Sequence, residues 1–264
     1  MHKPFVTVAL SLAAVVASAV ELTDTEKRWL GAGWPVVSYA KAQKLPLDIV
    51  VLPQAKPGDA PLAMGYVDDR CKLVLAMRGN PEAEATLARI DPPLLDAVVE
   101  AMFAHELGHC WRYVHGAWHT LPAGFVDSPD DGSSSTEEIA KLRRDMRETR
   151  REEGFADLVG LAWTLSRRPQ EYEAVHAWFT EVRADQPLPG AHHDTRAWIR
   201  LVQDRSAFPP AANPFEQVRA LWRTGLLQEH GENRIVIPAK AGTHAGRLLT
   251  GVGPRLRGDD GGLD

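Results

Sequence analysis

The 264-residue sequence lacks several features that would narrow its function class at once. Lysine and arginine number 30 against 35 aspartate and glutamate, so the basic excess typical of nucleic-acid-binding proteins is missing. No repeat of fixed period occurs, which argues against solenoid and propeller folds. The composition is 44% hydrophobic and 25% charged, as in an ordinary globular protein with one substantial domain or two small ones.

Cysteine is scarce, with only Cys71 and Cys110 in the chain. Export to an oxidising compartment would permit a disulfide between them. Two buried free thiols are the alternative, because the sequence does not supply the Cα separation that a disulfide requires.

Long hydrophobic runs are also missing, apart from one near the N-terminus. A short basic start precedes an apolar run over residues 5–17, which is too short to span a bilayer comfortably. Ala17 and Ala19 then frame a small-x-small cleavage pattern. No cysteine lies near that point, so the sequence does not predict a lipoprotein. We expect residues 1–19 to be a cleavable signal peptide and the mature protein to be periplasmic or secreted, without an integral membrane domain. An uncleaved anchor is the alternative.

The C-terminal residues 231–264 differ in character from the rest of the chain. They are rich in glycine and poor in periodic apolar residues. This tail resembles the peptide encoded when a reading frame runs into a dispersed palindromic repeat of bacterial DNA. We expect it to be disordered and to carry no catalytic residue, with a functional extension as the alternative. Residues 20–230 are then the folded domain.

Three short β-type runs precede the first long helical pattern, at residues 47–52, 63–67 and 71–77. A small antiparallel sheet is the simplest arrangement for them. The run at residues 71–77 is a candidate edge strand, to which an extended peptide could pair by strand addition.

Helical periodicity dominates the remainder, so the predicted fold class is α+β and mostly helical. Asp91 and Pro92 suit the start of a first long helix, which should continue to near Gly116. A second long helix should open at Thr136, after a loop rich in proline, glycine and serine. Further helices are predicted at residues 23–45 (broken by Gly31, Gly33 and Pro35), 169–184, 195–204 and 214–229.

The first long helix carries the segment His105-Glu106-Leu107-Gly108-His109. His105 and His109 lie one turn apart on one face, so both imidazoles can reach one zinc ion. Glu106 lies at the edge of that face and can reach a metal-bound water without ligating the metal, which is the H-E-x-x-H arrangement of metallopeptidases. Glu106 would take a proton from the water and pass it to the leaving amine. A surface helix with two incidental histidines is the alternative.

A catalytic zinc also needs a third protein ligand. Glu153 lies on the apolar stripe of the second long helix, where an unpaired carboxylate is costly, and pairing with a nearby arginine is its alternative role. Asp157, one turn later, could accept a hydrogen bond from a zinc-bound histidine. His115 occupies the third-ligand position of the metzincin pattern, but Arg112 replaces the glycine of that pattern, so the helix should carry His115 away. Glu152 is a poorer candidate, because it is rotated off the stripe.

This combination of H-E-L-G-H and a later E-x-x-A-D resembles the gluzincins. The likeness is greatest to the HtpX-type and CAAX-protease-type peptidases and their small soluble minigluzincin relatives, over residues 47–200. The resemblance implies that Glu106 is the general base and that Asp157 supports a ligating histidine. It implies three zinc ligands, His105, His109 and Glu153.

A later segment also resembles the family, which has a histidine that hydrogen-bonds the oxyanion of the transition state. His192 fits that spacing best, His193 is the alternative, and a plain loop leading into a helix cap is a further possibility. The expected function is therefore zinc-dependent endopeptidase activity on peptide or protein substrates among exported or envelope proteins. A catalytically inert zinc-binding envelope module, chaperone-like or inhibitor-like, and a zinc-free adaptor are the alternatives.

Overall fold

The computed structural model describes residues 21–125, 136–185 and 190–232, without the side chains of residues 230–232. The predicted signal peptide, the serine-rich loop over residues 126–135 and nearly all of the C-terminal tail lie outside the described residues. Within the described ranges, every helix falls short of the combined length and apolarity that a membrane span requires.

The fold is α+β and mostly helical, as predicted. Its strands are β1 (Leu47–Val51), β2 (Leu62–Val67) and β3 (Arg70–Leu75). Its helices are α1 (Asp24–Ala42), α2 (Pro81–Ala88), α3 (Leu95–Val114), α4 (Glu137–Arg167), α5 (Tyr172–Ala184), α6 (Arg196–Ile199) and α7 (Pro214–Glu232).

The sheet is mixed, with the strand order β1–β3–β2. β2 and β3 form an antiparallel hairpin that turns at Asp68 and Asp69, both with positive φ. β1 pairs with β3 in parallel, so the prediction of an antiparallel sheet was wrong for this strand. The connection over residues 52–61 carries the chain to the far edge, which leaves the central position to β3. The prediction of an edge strand at residues 71–77 was therefore wrong, and both sides of β3 are already paired.

Helix α1 is continuous where the sequence predicted a break at Gly31, Gly33 and Pro35. A capping box fixes its N-terminus. Gly33 lies against Phe103 of α3, where a Cβ atom would be 2.3 Å from the phenyl ring. The packing of α1 on α3 that this close approach allows outweighs the local preferences of glycine and proline against a helix.

Helices α3 and α4 form the centre of the fold and pack against each other. A short 3₁₀ turn over Pro92–Leu94 leads into α3, which ends at Val114, close to the predicted limits. The Asp91 side chain makes no capping hydrogen bond there. Helix α4 begins after Thr136, as predicted, and residues 150–164 of its C-terminal half are all buried. The candidate ligand Glu153 therefore lies in the buried half of α4.

The remaining helices follow the predicted order along the chain. α5 and α7 lie within a few residues of the predicted limits, and the region predicted at residues 195–204 forms α6 followed by a 3₁₀ turn over Arg200–Val202. Helix α2, whose N-terminus is capped by Asn80, was not predicted from the sequence.

A disulfide joins Cys71 of β3 to Cys110 of α3, with a Cα–Cα separation of 5.5 Å. Both residues are fully buried. This decides the choice between a disulfide and free thiols that the sequence left open. Because Cys110 directly follows His109, the bond ties the central strand to the helix that carries both candidate histidine ligands.

Candidate metal centre

His105, His109 and Glu153 meet at the interface between α3 and α4, and all three are buried. The Nε2 atoms of the two histidines are 3.1 Å apart. The Oε2 atom of Glu153 is 3.4 Å from Nε2 of His105, and its Oε1 atom is 3.4 Å from Nε2 of His109. One ligand atom from each residue lies within 4.8 Å of the other two, so this group could hold a metal ion.

The close approach of α3 to α4 depends on Gly108, which lies between the two histidines in sequence. A Cβ atom at this position would lie 3.1 Å from Cα of Ala156 and 3.3 Å from Cβ of Val159. The missing side chain therefore lets the two backbones come close enough for Glu153 to reach the histidines.

Asp157 lies directly behind His105 and is fully buried. Its Oδ1 atom is 2.8 Å from Nδ1 of His105. A proton on Nδ1 donates to this carboxylate and leaves the lone pair of Nε2 pointing toward Glu153, the orientation that a metal requires. Asp157 also accepts hydrogen bonds from Arg183, at 2.7 and 2.9 Å, and from the hydroxyl of Thr195 at 2.5 Å. These bonds hold the carboxylate in place.

Arg183 is a site residue that sequence reasoning missed. Besides its two bonds to Asp157, its Nη2 atom lies 3.5 Å from Oε2 of Glu153. Its position in the sequence could have indicated this role. Arg183 continues, at helical spacing, the apolar stripe that Tyr172 and Phe179 form on α5. A cation on a buried stripe predicts a buried acidic partner, but it does not tell which helix supplies that partner.

The carboxylates around His105 make its position favourable for positive charge. Burial lowers the pKa of His105, but its contacts with Asp157 and Glu153 outweigh that effect and raise the pKa to about 10. A ligating imidazole must be deprotonated. A proton and a metal ion therefore compete for the same Nε2 atom, and the surrounding carboxylates favour either cation there.

The charge of the group matches a divalent cation. Burial raises the pKa values of Glu153 and Asp157, but neighbouring histidines and Arg183 outweigh it, so both carboxylates are ionised at neutral pH. A metal ion that displaces the His105 proton would face neutral imidazoles, and with an ionised Glu106 the three carboxylates would then exceed the single guanidinium by two negative charges. Buried charge without compensation is costly. A bound divalent ion would supply the compensation.

Glu106 is half-buried on α3 and is not among the ligating atoms of the group. Burial raises its pKa, while the positive charges of His105 and His109 lower it, and the net direction is upward. A carboxyl group whose pKa lies closer to neutrality is better suited to accept a proton and give it up again.

Of the two adjacent histidines in the later segment, His193 is the one that reaches the site. Its Nε2 atom lies 3.5 Å from Oε2 of Glu153, and its side chain is 48% exposed. His192, which the spacing favoured, makes no hydrogen bond or ion pair with any described residue. The hydrogen bond from the Asp194 N–H to the Ala191 carbonyl closes a turn in this segment, and of the two histidines it is His193, the alternative, that contacts Glu153.

The other two candidate ligands lie away from the group. His115 is exposed at the end of α3, and its Nδ1 atom is 2.8 Å from the carbonyl oxygen of Trp111. Glu152 forms a two-pronged ion pair with Arg112, with both N–O distances 2.8 Å. It also accepts the N–H of His119, so its carboxylate organises the loop after α3.

Comparison of the chain with protein-family models, curated proteins and solved structures gave no match. The relation to gluzincins is therefore a resemblance that depends on the residues described above. What supports a function is the chemistry of the group itself, in which two imidazoles and one carboxylate converge beside a further acidic residue, Glu106.

Proposed function

We propose that this protein is a zinc-dependent endopeptidase that hydrolyses peptide bonds in exported or envelope proteins. The observation that carries the proposal is the convergence of His105, His109 and Glu153, with the non-ligating Glu106 on the same helix. Catalytic zinc sites use three protein ligands and keep one position open, whereas structural sites use four. The described part of the chain offers three ligands in this group.

A two-histidine, one-carboxylate set suits zinc better than it suits calcium or magnesium. Zinc accepts mixed nitrogen and oxygen ligands in tetrahedral geometry, while calcium and magnesium prefer oxygen ligands alone. Asp157 fixes the tautomer of His105, and such carboxylate–histidine pairs accompany most histidine ligands of zinc. Arg183 and Thr195 in turn hold Asp157, so the ligand is oriented before any metal arrives.

Zinc, when bound, polarises the scissile carbonyl and lowers the pKa of water. Glu106 accepts the proton of the attacking water and delivers it to the leaving amine. Its raised pKa makes the carboxylate a better acceptor of that proton. Asp157 keeps the charge of Arg183 beside it, which lowers the pKa of Asp157 and favours its ionised form.

We propose that His193 acts on the substrate rather than on the metal. It reaches Glu153 from the solvent side, and about half of its side chain is accessible. An imidazole N–H in that position can donate a hydrogen bond to the oxyanion that forms as water attacks the carbonyl. The resemblance to gluzincins assigns this role to a histidine of the same segment.

The disulfide supports the proposed location. Disulfides persist in oxidising compartments such as the periplasm and the extracellular space, and they are rare in the cytosol. Cys71 and Cys110 are paired in the folded core. This agrees with the signal peptide that the sequence predicts over residues 1–19.

The test separates a peptidase from an inert zinc module. In Glu106→Gln, zinc content should be unchanged, while hydrolysis of an unfolded, dye-labelled casein should fall by at least about 100-fold, since the proton acceptor is gone. Glu173→Gln, on an exposed position of α5, is the matched control and should keep full activity. A wild-type protein that holds zinc and cleaves no unfolded protein would support the inert module instead.

A further inference from the structure

Three aromatic side chains extend from the metal centre to the edge of the sheet. They are Tyr66 of β2, Tyr113 at the end of α3 and Trp118 in the loop that follows α3, and together we call them the aromatic wall. Tyr66 and Tyr113 stack with ring centroids 5.1 Å apart, and Tyr113 and Trp118 stack at 3.8 Å. Trp118 meets the ring of His109 edge-on at 5.5 Å. The wall therefore begins at a candidate metal ligand and ends on an edge strand.

The rings of the aromatic wall are only half-buried. The large aromatic side chains of the core, such as Trp198 and Tyr172, are by contrast fully buried. The hydroxyl groups of Tyr66 and Tyr113 form no hydrogen bond with any described residue. Tyr66 and Trp118 cover the ring faces of Tyr113, and His119 stacks on Trp118 at 5.0 Å. The wall therefore presents ring edges and two phenol groups.

The opposite flank of the metal centre is polar. Arg183 and His193 both approach Oε2 of Glu153, at 3.5 Å each. The aromatic wall contacts His109, whereas Asp157 and its partners contact His105. A substrate that crosses the centre therefore meets cationic and hydrogen-bonding groups on one side and stacked rings on the other.

We propose that the aromatic wall is a specificity subsite that binds a large apolar side chain, preferably an aromatic one, next to the scissile peptide bond. This inference rests on the proposed peptidase function and names its substrate class. An aromatic side chain placed on the wall removes apolar surface from water and can pack against the exposed ring edges. A methyl side chain covers too little of that surface to gain comparable affinity.

A matched pair of hydroxamates tests the subsite without any need for catalysis. Phenylalanine hydroxamate and alanine hydroxamate share the group that binds zinc and differ only in the side chain. Their dissociation constants are measured by calorimetry on the zinc-loaded mature protein. We expect the phenylalanine compound to bind about tenfold more tightly, within the range typical of pocket contacts of this size.

Two variants and a control assign that difference to the wall. Trp118→Ala and Tyr66→Ala should each bring the affinity ratio close to unity. The Tyr66→Ala variant changes the wall at a residue that does not contact a candidate metal ligand, whereas Trp118 contacts His109. Trp34→Ala, which removes a 55% exposed tryptophan on α1, should leave the ratio unchanged. Equal affinities in the wild type, no binding of either compound, or a ratio preserved in both wall variants would overturn the subsite.

The outcomes distinguish the subsite from the proposed function. A preserved affinity ratio in a protein that cleaves no peptide would leave the subsite standing and count against the peptidase. Cleavage of peptides with no preference for large apolar residues, together with equal hydroxamate affinities, would leave the peptidase standing and remove the subsite.

Discussion

At the scale of single residues, the metal centre depends on a side chain that does not ligate. Asp157 receives the Nδ1 proton of His105 and is itself held by Arg183 and Thr195. His109 has no equivalent support, since its buried Nδ1 atom has no hydrogen-bond partner among the described residues. The orientation of His109 instead depends on its contacts with Glu153 and the ring of Trp118.

Asp157→Asn should therefore weaken zinc binding by about 10- to 100-fold. The amide N–H can donate to Nδ1 of His105, which shifts the proton to Nε2, the atom that must ligate. Competition with a chelator of known affinity measures the change, and Asp185→Asn, on an exposed position after α5, is the control. Equal zinc affinity in Asp157→Asn and the control would show that the hydrogen bond to His105 does not tune the site.

The sequence was informative about residues whose roles follow from local spacing. His105, Glu106 and His109 share one helix, and Glu153 and Asp157 share another, so a period of 3.6 residues relates the members of each set. Arg183 and His193 reach the same site from α5 and from the turn before α6. Their positions depend on how distant elements pack, which helical periodicity does not specify.

At the scale of helices, the contact of α3 with α4 makes Gly108 a sensitive position. Gly108→Ala places a methyl group 3.1 Å from the Ala156 backbone, so the helices must move apart. We expect a loss of about 1–3 kcal/mol in the free energy of unfolding, measured by urea denaturation, together with weaker zinc binding.

Gly31→Ala is the matched control for this prediction. Gly31 lies in α1, and a methyl group added there would have no atom within 4 Å, so alanine should stabilise the helix by up to about 1 kcal/mol. Equal effects of the two substitutions would show that the approach of α3 to α4 is not limited by Gly108.

Helices were predicted better than strand pairing, for a physical reason. The periodicity of α3 and α4 is a local property, and burial of their apolar stripes reinforces it. Strand order depends instead on the path of the connection over residues 52–61, which delivers β2 to the far edge of the sheet. The break predicted in α1 failed because packing of Gly33 on Phe103 overrides local propensity.

At the scale of the whole molecule, one disulfide links the sheet to the helical layer. Cys71 and Cys110 are separated by 39 residues, and cross-linking a loop of that length reduces the entropy of the unfolded chain by the equivalent of about 4 kcal/mol. The double variant Cys71→Ala/Cys110→Ala should lose roughly this much free energy of unfolding in urea denaturation. A double variant as stable as the wild type would contradict a structural role for the bond.

Two helices supply the ligands of the proposed zinc site, and the metal stoichiometry of the protein measures its occupancy. Mature wild-type protein and the exposed control Glu173→Ala should each retain about one zinc per chain after dialysis, since one three-ligand site is present among the described residues. Glu153→Ala should lose the metal or bind it far more weakly. Full zinc retention in Glu153→Ala, or no zinc in the wild type even after reconstitution, would contradict a zinc site at this position.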